Sequence, residues 1–405
     1  MSVGTTALAF FVGVGSRDEQ PQEWGAAHLI EHLLFKGAGH WNMRAIAREM
    51  DRLGADINAF TTRDYTCFHA RVLDDEALNA YELLRTLIVQ PWLLPADLER
   101  EKNVVAEEMR ESQDDPDEVL DLLMTQALYA DPAYNHDILG TEATLSAMTA
   151  SDLRKFFERH YQPSNMVLAI SGGARQTVLN AARQDFTGDP VPSLLPKRRA
   201  IPHTQFGRKS ESLDWEQLHI GLAVPAPSRY QSDYAAALMT VGILGGQNSS
   251  RLWQRLREEE GLVYGVSTQY GPEADFGEMM TFLSLGPERV AVALTALAEE
   301  VYRLAADGPD PEEVARTRTA LYTMAVMAQE TPDARVMRLG RYALDQRRPP
   351  ALTELRDEMA AVDAKAVMTL AESWTNWHRM AVAWAGPVDD SIDIIRHLQR
   401  SAGHA

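Results

Sequence analysis

Hydrophobic patterns of the helical and the strand type alternate along this chain. Two strands, joined by the polar turn Thr62–Asp64, are predicted within ADINAFTTRDYTCFHARV, and the apolar runs TTALAFFV and NMVLAISGG predict two more. Apolar positions at helical spacing predict helices at 27–36, 43–53, 74–89, 95–113 and 116–129. This mixture of elements predicts an α+β fold in which sheets pack against helices.

The second half of the chain repeats this order of elements. LHIGLAVPA predicts a strand, SDYAAALMTVGILGG and SSRLWQRLREEEG predict helices, and LVYGVSTQY and EMMTFLSLG predict strands. Long helices are predicted from about 287 to 375, and MAVAWAGPV closes this half as MVLAISGGA closes the first. The repeat predicts two homologous α/β-sandwich domains, each with a mostly antiparallel sheet. Chance likeness of two apolar strands is the alternative interpretation.

The region between the two halves is rich in proline and basic residues, which suits a linker. We therefore place a metal-bearing catalytic domain at residues 1–190, a linker at 191–207 and a second domain without metal at 208–405. A length of 405 residues suggests two or three domains and is ample for a large buried core.

The charge balance excludes some classes of partner. The formal net charge is −19, which argues against a broad nucleic-acid or anionic-membrane surface. Cys67 is the single cysteine, so the chain has no intramolecular disulfide and a cytoplasmic location is expected. The opening apolar run lacks the positive start of a signal peptide, and no run reaches the roughly 18 apolar residues of a membrane helix.

The stretch AAHLIEHLLFKG, residues 26–37, carries three titratable groups in an apolar helix. His28 and His32 are four residues apart, so they share a helix face, and Glu31 lies beside them. A catalytic zinc site uses three protein ligands, and zinc lowers the pKa of a water in the remaining position. A nearby carboxylate can accept the proton of that water. The alternative is a surface helix with incidental polar residues, which the apolar surroundings oppose.

A third metal ligand has to come from elsewhere in the chain. The predicted helix DLEREKNVVAEEMRES offers four glutamates, which are Glu99, Glu101, Glu107 and Glu108. Glu101 and Glu108 are seven residues apart, which places them on one helix face about two turns apart. A solvated acidic helix is the alternative, and the spacing alone leaves both interpretations open.

These motifs closely resemble the pitrilysin/insulin-degrading-enzyme family of zinc metallopeptidases, in particular its short bacterial members similar to mitochondrial processing peptidase. The resemblance covers nearly the whole chain and includes the inverted HxxEH motif, GADINAFTTRDYTCFHA and LGGQNSSRLWQRLREEEGLVYGV. It implies one zinc ion per chain, held by His28, His32 and Glu108, with Glu31 as the general base. It also implies a catalytic role for Glu101, which accompanies Glu108 in the family.

The same resemblance implies where a substrate is held. The strand edge at Asn58, Ala59 and Phe60 pairs with extended substrate, whereas Arg257 and Tyr264 hold the substrate and the oxyanion. The alternatives are an ordinary strand, a helix-surface arginine and a half-buried strand tyrosine. Family members also begin with one more strand than this sequence, so we expect either a truncated start or a first sheet with one edge strand fewer.

Together these features predict a zinc-dependent endopeptidase, a peptide-bond hydrolase. It would cleave peptides or unfolded polypeptide segments inside a chamber formed by a homodimer, with a subunit from a second gene as the alternative partner. The rival function is a non-catalytic partner or scaffold subunit of a peptidase-like complex. Such subunits have usually lost metal ligands or the base, whereas this chain keeps all of them. We expect neither nucleic acid nor membrane as a partner.

Overall fold

A computed structural model describes residues 4–186 and 200–387, together with Ile394, Arg396 and Leu398. Residues 191–199 of the predicted linker therefore lie outside the described residues. Within the described part, none of the helices combines the length and apolar character needed to cross a membrane. Cys67 is buried and is not part of a disulfide.

The elements of the structure follow the predicted order closely. The strands are β1 Thr5–Val12, β2 Gly37–Ala38, β3 Trp41–Asn42, β4 Asp56–Thr61, β5 Thr66–Leu73, β6 Met166–Gly172, β7 Arg208–Ser212, β8 Leu218–Ala226, β9 Gly265–Pro272, β10 Gly277–Leu285 and β11 Ala381–Gly386. The α-helices are α1 Ala26–Leu34, α2 Met43–Leu53, α3 Ala77–Val89, α4 Pro95–Asp114, α5 Pro116–Leu128, α6 Pro132–Asn135, α7 Glu142–Ala147, α8 Ala150–His160, α9 Arg175–Asp185, α10 Tyr234–Leu244, α11 Val290–Asp307, α12 Pro311–Met327, α13 Pro332–Leu344, α14 Leu352–Ala361 and α15 Ala364–Glu372.

Two larger sheets share one strand order, which confirms the duplicated α+β fold. The first sheet runs β4-β5-β1-β6 and is antiparallel throughout, and the second runs β7-β11-β8-β10-β9. Strands β9-β10-β8-β11 repeat the order of β4-β5-β1-β6. The additional strand β7 pairs in parallel with β11. Within the described residues β6 pairs only with β1.

The chain folds into two compact units that exchange one segment each. The first unit comprises residues 1–111, 132–200 and 327–349, and the second comprises 112–131, 201–326 and 350–405. Helix α5 from the first half of the sequence thus belongs to the second unit, and α13 from the second half belongs to the first. The division into sequence halves did not predict this exchange.

The continuous apolar run of β1 is explained by burial on both faces of the first sheet. Leu8, Phe10 and Val12 join the main core of this unit, whereas the alternate side chains join a smaller cluster that includes Val336 of α13. A strand buried on both faces reads as an unbroken hydrophobic run. Gly340 of α13 lies against the ring of Phe11, and a Cβ atom there would overlap that ring.

The second unit covers its sheet in the corresponding way. Helix α5 packs on β8 and β11, and Gly221 of β8 faces Met124 of α5. A Cβ atom on Gly221 would lie 2.5 Å from the sulfur of Met124. Each sheet therefore takes one of its covering helices from the other half of the sequence.

The helix predicted within SSRLWQRLREEEG contains a π-helical segment in place of the α-helix expected there. Residues Trp253–Glu259 form a π-helix, in which the backbone bonds span five residues. Side chains five apart also pair, since Arg255 contacts Glu260 at 2.8 Å and the indole of Trp253 donates to Glu258 at 3.1 Å. These contacts favour the wider turn over the usual four-residue spacing.

Candidate metal centre

Helix α1 starts at a buried carboxylate. Both oxygens of Glu19 accept hydrogen bonds from the helix start, one from the amide of Gly25 at 2.9 Å and the other from the amide of Ala27 at 2.8 Å. His136 contacts the same carboxylate through Nε2 at 3.1 Å. A negative group at a helix N-terminus satisfies free amides and favours the helix dipole. Glu19 and His136 therefore fix the start of the helix that carries the candidate metal ligands.

The conformation at this helix start also requires glycine. Gly25 has φ +92°, and a Cβ atom there would lie 2.5 Å from the carbonyl oxygen of Leu139. Beyond this turn, the apolar residues of α1 are buried in the core of the first unit. These residues are Ala26, Ala27, Leu29, Ile30, Leu33 and Leu34. The remaining face presents His28, Glu31 and His32, all half-buried. A helix with one fully packed face and one partly open polar face suits a site that a ligand must reach.

Helix α4 brings the predicted acidic residues to the same place. Val105 and Met109 anchor α4 in the core, Glu101 is buried, and Glu108 is half-buried. Glu107 is exposed and pairs with Arg110 instead. The helix therefore turns Glu101 and Glu108 towards α1, as their spacing of seven predicts.

His28, His32 and Glu108 form a compact group of metal-ligating side chains. One ligand atom from each lies within 4.8 Å of the others, and no other such group of three occurs in the described part of the chain. His28 Nε2 lies 3.9 Å from one oxygen of Glu108, and His32 Nε2 lies 3.5 Å from the other. The two imidazole rings are 4.6 Å apart between centroids.

Glu101 contacts the opposite side of the His32 ring. Its carboxylate lies 3.2 Å from Nδ1 of His32 and 3.0 Å from the ammonium of Lys36. A carboxylate on the second ring nitrogen fixes the tautomer and the orientation of a ligating histidine. Glu101, for which the family resemblance implies a catalytic role, therefore lies directly beside one of the candidate metal ligands.

Burial adjusts the two remaining titratable groups of α1. It lowers the pKa of His28 to about 4, with a smaller contribution from the neighbouring His32, so His28 is a neutral imidazole near pH 7. Burial also raises the pKa of Glu31, while a hydrogen bond from Thr61 acts in the opposite direction. The hydroxyl of Thr61 donates to Glu31 at 2.5 Å.

The donor set fits zinc. Two imidazoles and one carboxylate are a typical ligand set for a catalytic zinc ion. His28 Nδ1 and one oxygen of Glu108 are buried atoms without a hydrogen-bond partner among the described residues. Buried polar atoms usually have a partner, and a cation coordinated at this place would supply one for the carboxylate oxygen of Glu108.

The predicted substrate strand is an edge strand of the first sheet. Asn58, Ala59 and Phe60 lie on β4, which pairs only with β5 in the described sheet. The side chain of Asn58 is exposed, and its carbonyl oxygen accepts a hydrogen bond from the amide of Ala59 at 2.8 Å. The open edge can accept an extended peptide.

Arg257 and Tyr264 belong to the second unit, whereas the metal ligands belong to the first. A hydrogen bond from the guanidinium of Arg257 reaches the carbonyl of Val263 at 3.4 Å, next to Tyr264. The side chain of Tyr264 is 61% exposed and precedes β9 rather than lying within it. Arg257 thus contacts the residue that precedes Tyr264.

Sequence analysis missed four residues around the ligands. Thr61 was part of the matched strand segment but received no role, and Lys36 lay in the quoted motif. Glu19 and His136 are 117 positions apart, so no local pattern connects them. Glu19 lies six positions before the N-cap Gly25, too far along the chain for the local signals of a helix start to identify it.

Known proteins resemble this chain over almost its whole length. The family described as "Insulinase (Peptidase family M16)" matches residues 2–142, and the family described as "Peptidase M16 inactive domain" matches residues 147–321. A protein of Mycobacterium leprae named as an uncharacterized zinc protease is 30% identical, over 98% of this chain and 90% of its own. The uncharacterized zinc protease YmxG of Bacillus subtilis is 29% identical, over 91% of this chain and 90% of its own.

Two solved structures share the fold. A protease from Helicobacter pylori superposes with a TM-score of 0.84 at 19% identity, over 95% of this chain and 94% of its own. A peptidase M16 inactive domain from Pseudomonas fluorescens superposes with a TM-score of 0.81 at 23% identity, with the same coverage. The ligand geometry, the duplicated fold and the full-length relatives lead to one conclusion: the chain belongs to peptidase family M16, whose relatives include proteins named as zinc proteases.

Proposed function

We propose that this protein is a zinc-dependent endopeptidase that hydrolyses peptides or unfolded polypeptide segments. The observation that carries the proposal is the convergence of His28, His32 and Glu108 on one face, with Glu31 adjacent. The three side chains would hold one zinc ion per chain. The presence of every ligand and of the base favours an enzyme over the alternative of a non-catalytic partner subunit.

The chain's own residues would divide the chemistry between them. Zinc, when bound, polarises a carbonyl and makes a water more acidic. Glu31 accepts a proton from the attacking water and later donates it to the leaving amine. The half-buried position of Glu31, which raises its pKa, suits a group that has to both take and release a proton.

Substrate would be held from two parts of the molecule. The open edge of β4 at Asn58, Ala59 and Phe60 would pair with extended substrate, which needs a peptide without stable structure of its own. Arg257 would hold the substrate, and the exposed hydroxyl of Tyr264 would donate to the oxyanion. We further propose that two copies form a closed chamber and that the protein acts in the cytoplasm.

The variant Glu31→Gln tests the proposal, because it separates metal binding from catalysis. We expect it to retain about one zinc per chain and to lose cleavage of a quenched fluorescent peptide by about 10²–10⁴-fold. Zinc is measured by mass spectrometry of the purified protein and cleavage by the rise in fluorescence. His28→Ala is the matched variant that should lose zinc and cleavage together.

Three outcomes would overturn parts of this proposal. Loss of zinc from Glu31→Gln would make Glu31 a ligand rather than the base. Full activity of Glu31→Gln would remove its catalytic role. A wild-type protein that binds zinc but cleaves no member of a diverse peptide library would favour the non-catalytic partner subunit.

A further inference from the structure

Thr61 connects the candidate base to the strand proposed to bind substrate. Its hydroxyl donates to Oε2 of Glu31 at 2.5 Å, although the two residues are 30 positions apart. This is the only hydrogen bond to the Glu31 carboxylate within the described residues. One carboxylate oxygen is thus occupied by a donor, which leaves the other to accept a proton.

The backbone around Thr61 is held firmly in place. Thr61 is the last residue of β4 and pairs with Thr66 of β5. The turn that follows is anchored from two sides, because the amide of Ser16 donates to the carbonyl of Thr62 at 3.2 Å and the hydroxyl of Thr62 donates to the carbonyl of Tyr65 at 2.9 Å.

The side chain of Thr61 is also restricted. A β-branched residue has few allowed χ1 values, so a fixed backbone leaves the hydroxyl little freedom. A donor with so little freedom can hold a flexible glutamate in one orientation. The same contact through a longer side chain would lose more conformational entropy.

We propose that Thr61 is a positioning residue that holds the carboxylate of Glu31 in the orientation required of the base. This role of Thr61 rests on the proposed function, since Glu31 is the base only if the protein is a hydrolase. Thr61 keeps its own proton throughout: the O–H bond that breaks belongs to water, and the one that forms is on Glu31. The strand that would pair with substrate therefore also orients the base.

Thr61→Val and Thr61→Ser form a matched pair of test variants. Valine has nearly the same shape but lacks the donor, whereas serine keeps the hydroxyl. We expect Thr61→Val to lower kcat by about 10–100-fold with KM unchanged, because misplacement of a catalytic group by about 1 Å has effects of that size. Thr61→Ser should stay within about threefold of wild type, and both should keep the wild-type zinc content.

Two further measurements separate positioning from a structural role. In the Glu31→Gln background, Thr61→Val should cause no additional loss of kcat, because the two residues act together. A crystal structure of zinc-free Thr61→Val should show the Glu31 side chain in more than one rotamer, whereas the zinc-free wild type should show one. If Thr61→Val does not fold, judged by its melting temperature, Thr61→Ala takes its place in each measurement.

The outcomes distinguish this inference from the proposed function. A Thr61→Val protein with wild-type kcat, tested beside an inactive Glu31→Gln, would overturn the role of Thr61 and leave the hydrolase intact. A higher KM with unchanged kcat would assign Thr61 to substrate binding and overturn positioning. An active Glu31→Gln would remove the role of Glu31 as base and with it the role of Thr61. Only a wild-type protein that binds zinc but cleaves no peptide of a diverse library would overturn the proposed function itself.

Discussion

The two histidines of the candidate metal centre differ in the contacts of Nδ1, the ring nitrogen that does not face Glu108. Nδ1 of His32 faces the carboxylate of Glu101, which Lys36 contacts in turn. Nδ1 of His28 is buried and has no hydrogen-bond partner among the described residues. His32 is therefore oriented before any metal binds, whereas the orientation of His28 depends mainly on packing and on the helix that carries it.

The choice of third ligand can be tested with two adjacent glutamates. Glu108→Gln should weaken zinc affinity by more than about 100-fold, since the loss of a ligand should exceed the 10–100-fold effect typical of outer-shell residues. Glu107→Gln is the control and should retain wild-type affinity, because Glu107 is exposed and pairs with Arg110. Competition with a chromophoric chelator measures both. The opposite result would mean that α4 is rotated by about 100° from the orientation described.

At the scale of single residues, the sequence predicts site residues that lie close together along the chain. It misses contacts between residues that are far apart in the sequence and that only the fold brings together. His28, Glu31 and His32 lie within five positions of one helix, so the helical repeat alone places them on one face. The hydrogen bond between Thr61 and Glu31 depends on how a strand end meets a helix 30 positions away. A threonine in a strand has no pattern that distinguishes such a role from ordinary strand propensity.

At the scale of elements, helix α13 and strand β1 pack so closely that an added side-chain atom at their contact would not fit. Gly340 allows the backbone of α13 to approach Phe11, whose ring is fully buried. In most helices glycine is destabilising by about 0.5–1 kcal/mol relative to alanine. Here the lack of a side chain is what permits close packing.

Gly340→Ala should therefore destabilise the protein, although the same change stabilises most helices. We expect the free energy of unfolding to fall by about 1–3 kcal/mol, because the added methyl group overpacks the contact with Phe11. Urea denaturation followed by circular dichroism measures the change. The double variant Gly340→Ala/Phe11→Leu should lose less than the two single changes added together, and a gain in stability from Gly340→Ala alone would contradict the packing described.

Element boundaries were predictable where periodicity was strong. Helix α2 matches its predicted limits, and α4 differs from its prediction by one residue. The identity of the sheet that α13 covers was not predictable, since an amphipathic pattern shows that a helix has a buried face but not what buries it. The π-helical winding at Trp253–Glu259 was missed because it depends on side-chain pairs five residues apart.

At the scale of the whole molecule, the candidate metal ligands and the proposed substrate-holding pair lie in different units. The metal ligands lie in the first unit, and Arg257 and Tyr264 lie in the second. In the homodimer that we propose, the arginine and tyrosine of one subunit would serve the zinc site of its partner. The pair would then act in trans.

Mixing two inactive variants tests that arrangement. Glu31→Gln lacks the base, and Arg257→Ala/Tyr264→Phe lacks the substrate-holding pair. When subunits exchange freely, about half of the dimers are mixed and each of these has one complete site, so about a quarter of wild-type activity should return. Peptide cleavage is measured after incubation at several mixing ratios. If no ratio restores activity, the pair does not act on a partner's zinc site.

The exchange of α5 and α13 affects how the protein matures on the ribosome. When β6 has left the exit tunnel, all strands of the first sheet are available, yet the face that carries Phe11 still lacks α13. The covering segment, 327–349, follows only after most of the second half has been made. At about 5–20 residues per second this delay lasts roughly ten seconds or more. The unit that carries the metal ligands is thus completed late, and its apolar face is open to chaperones during that time.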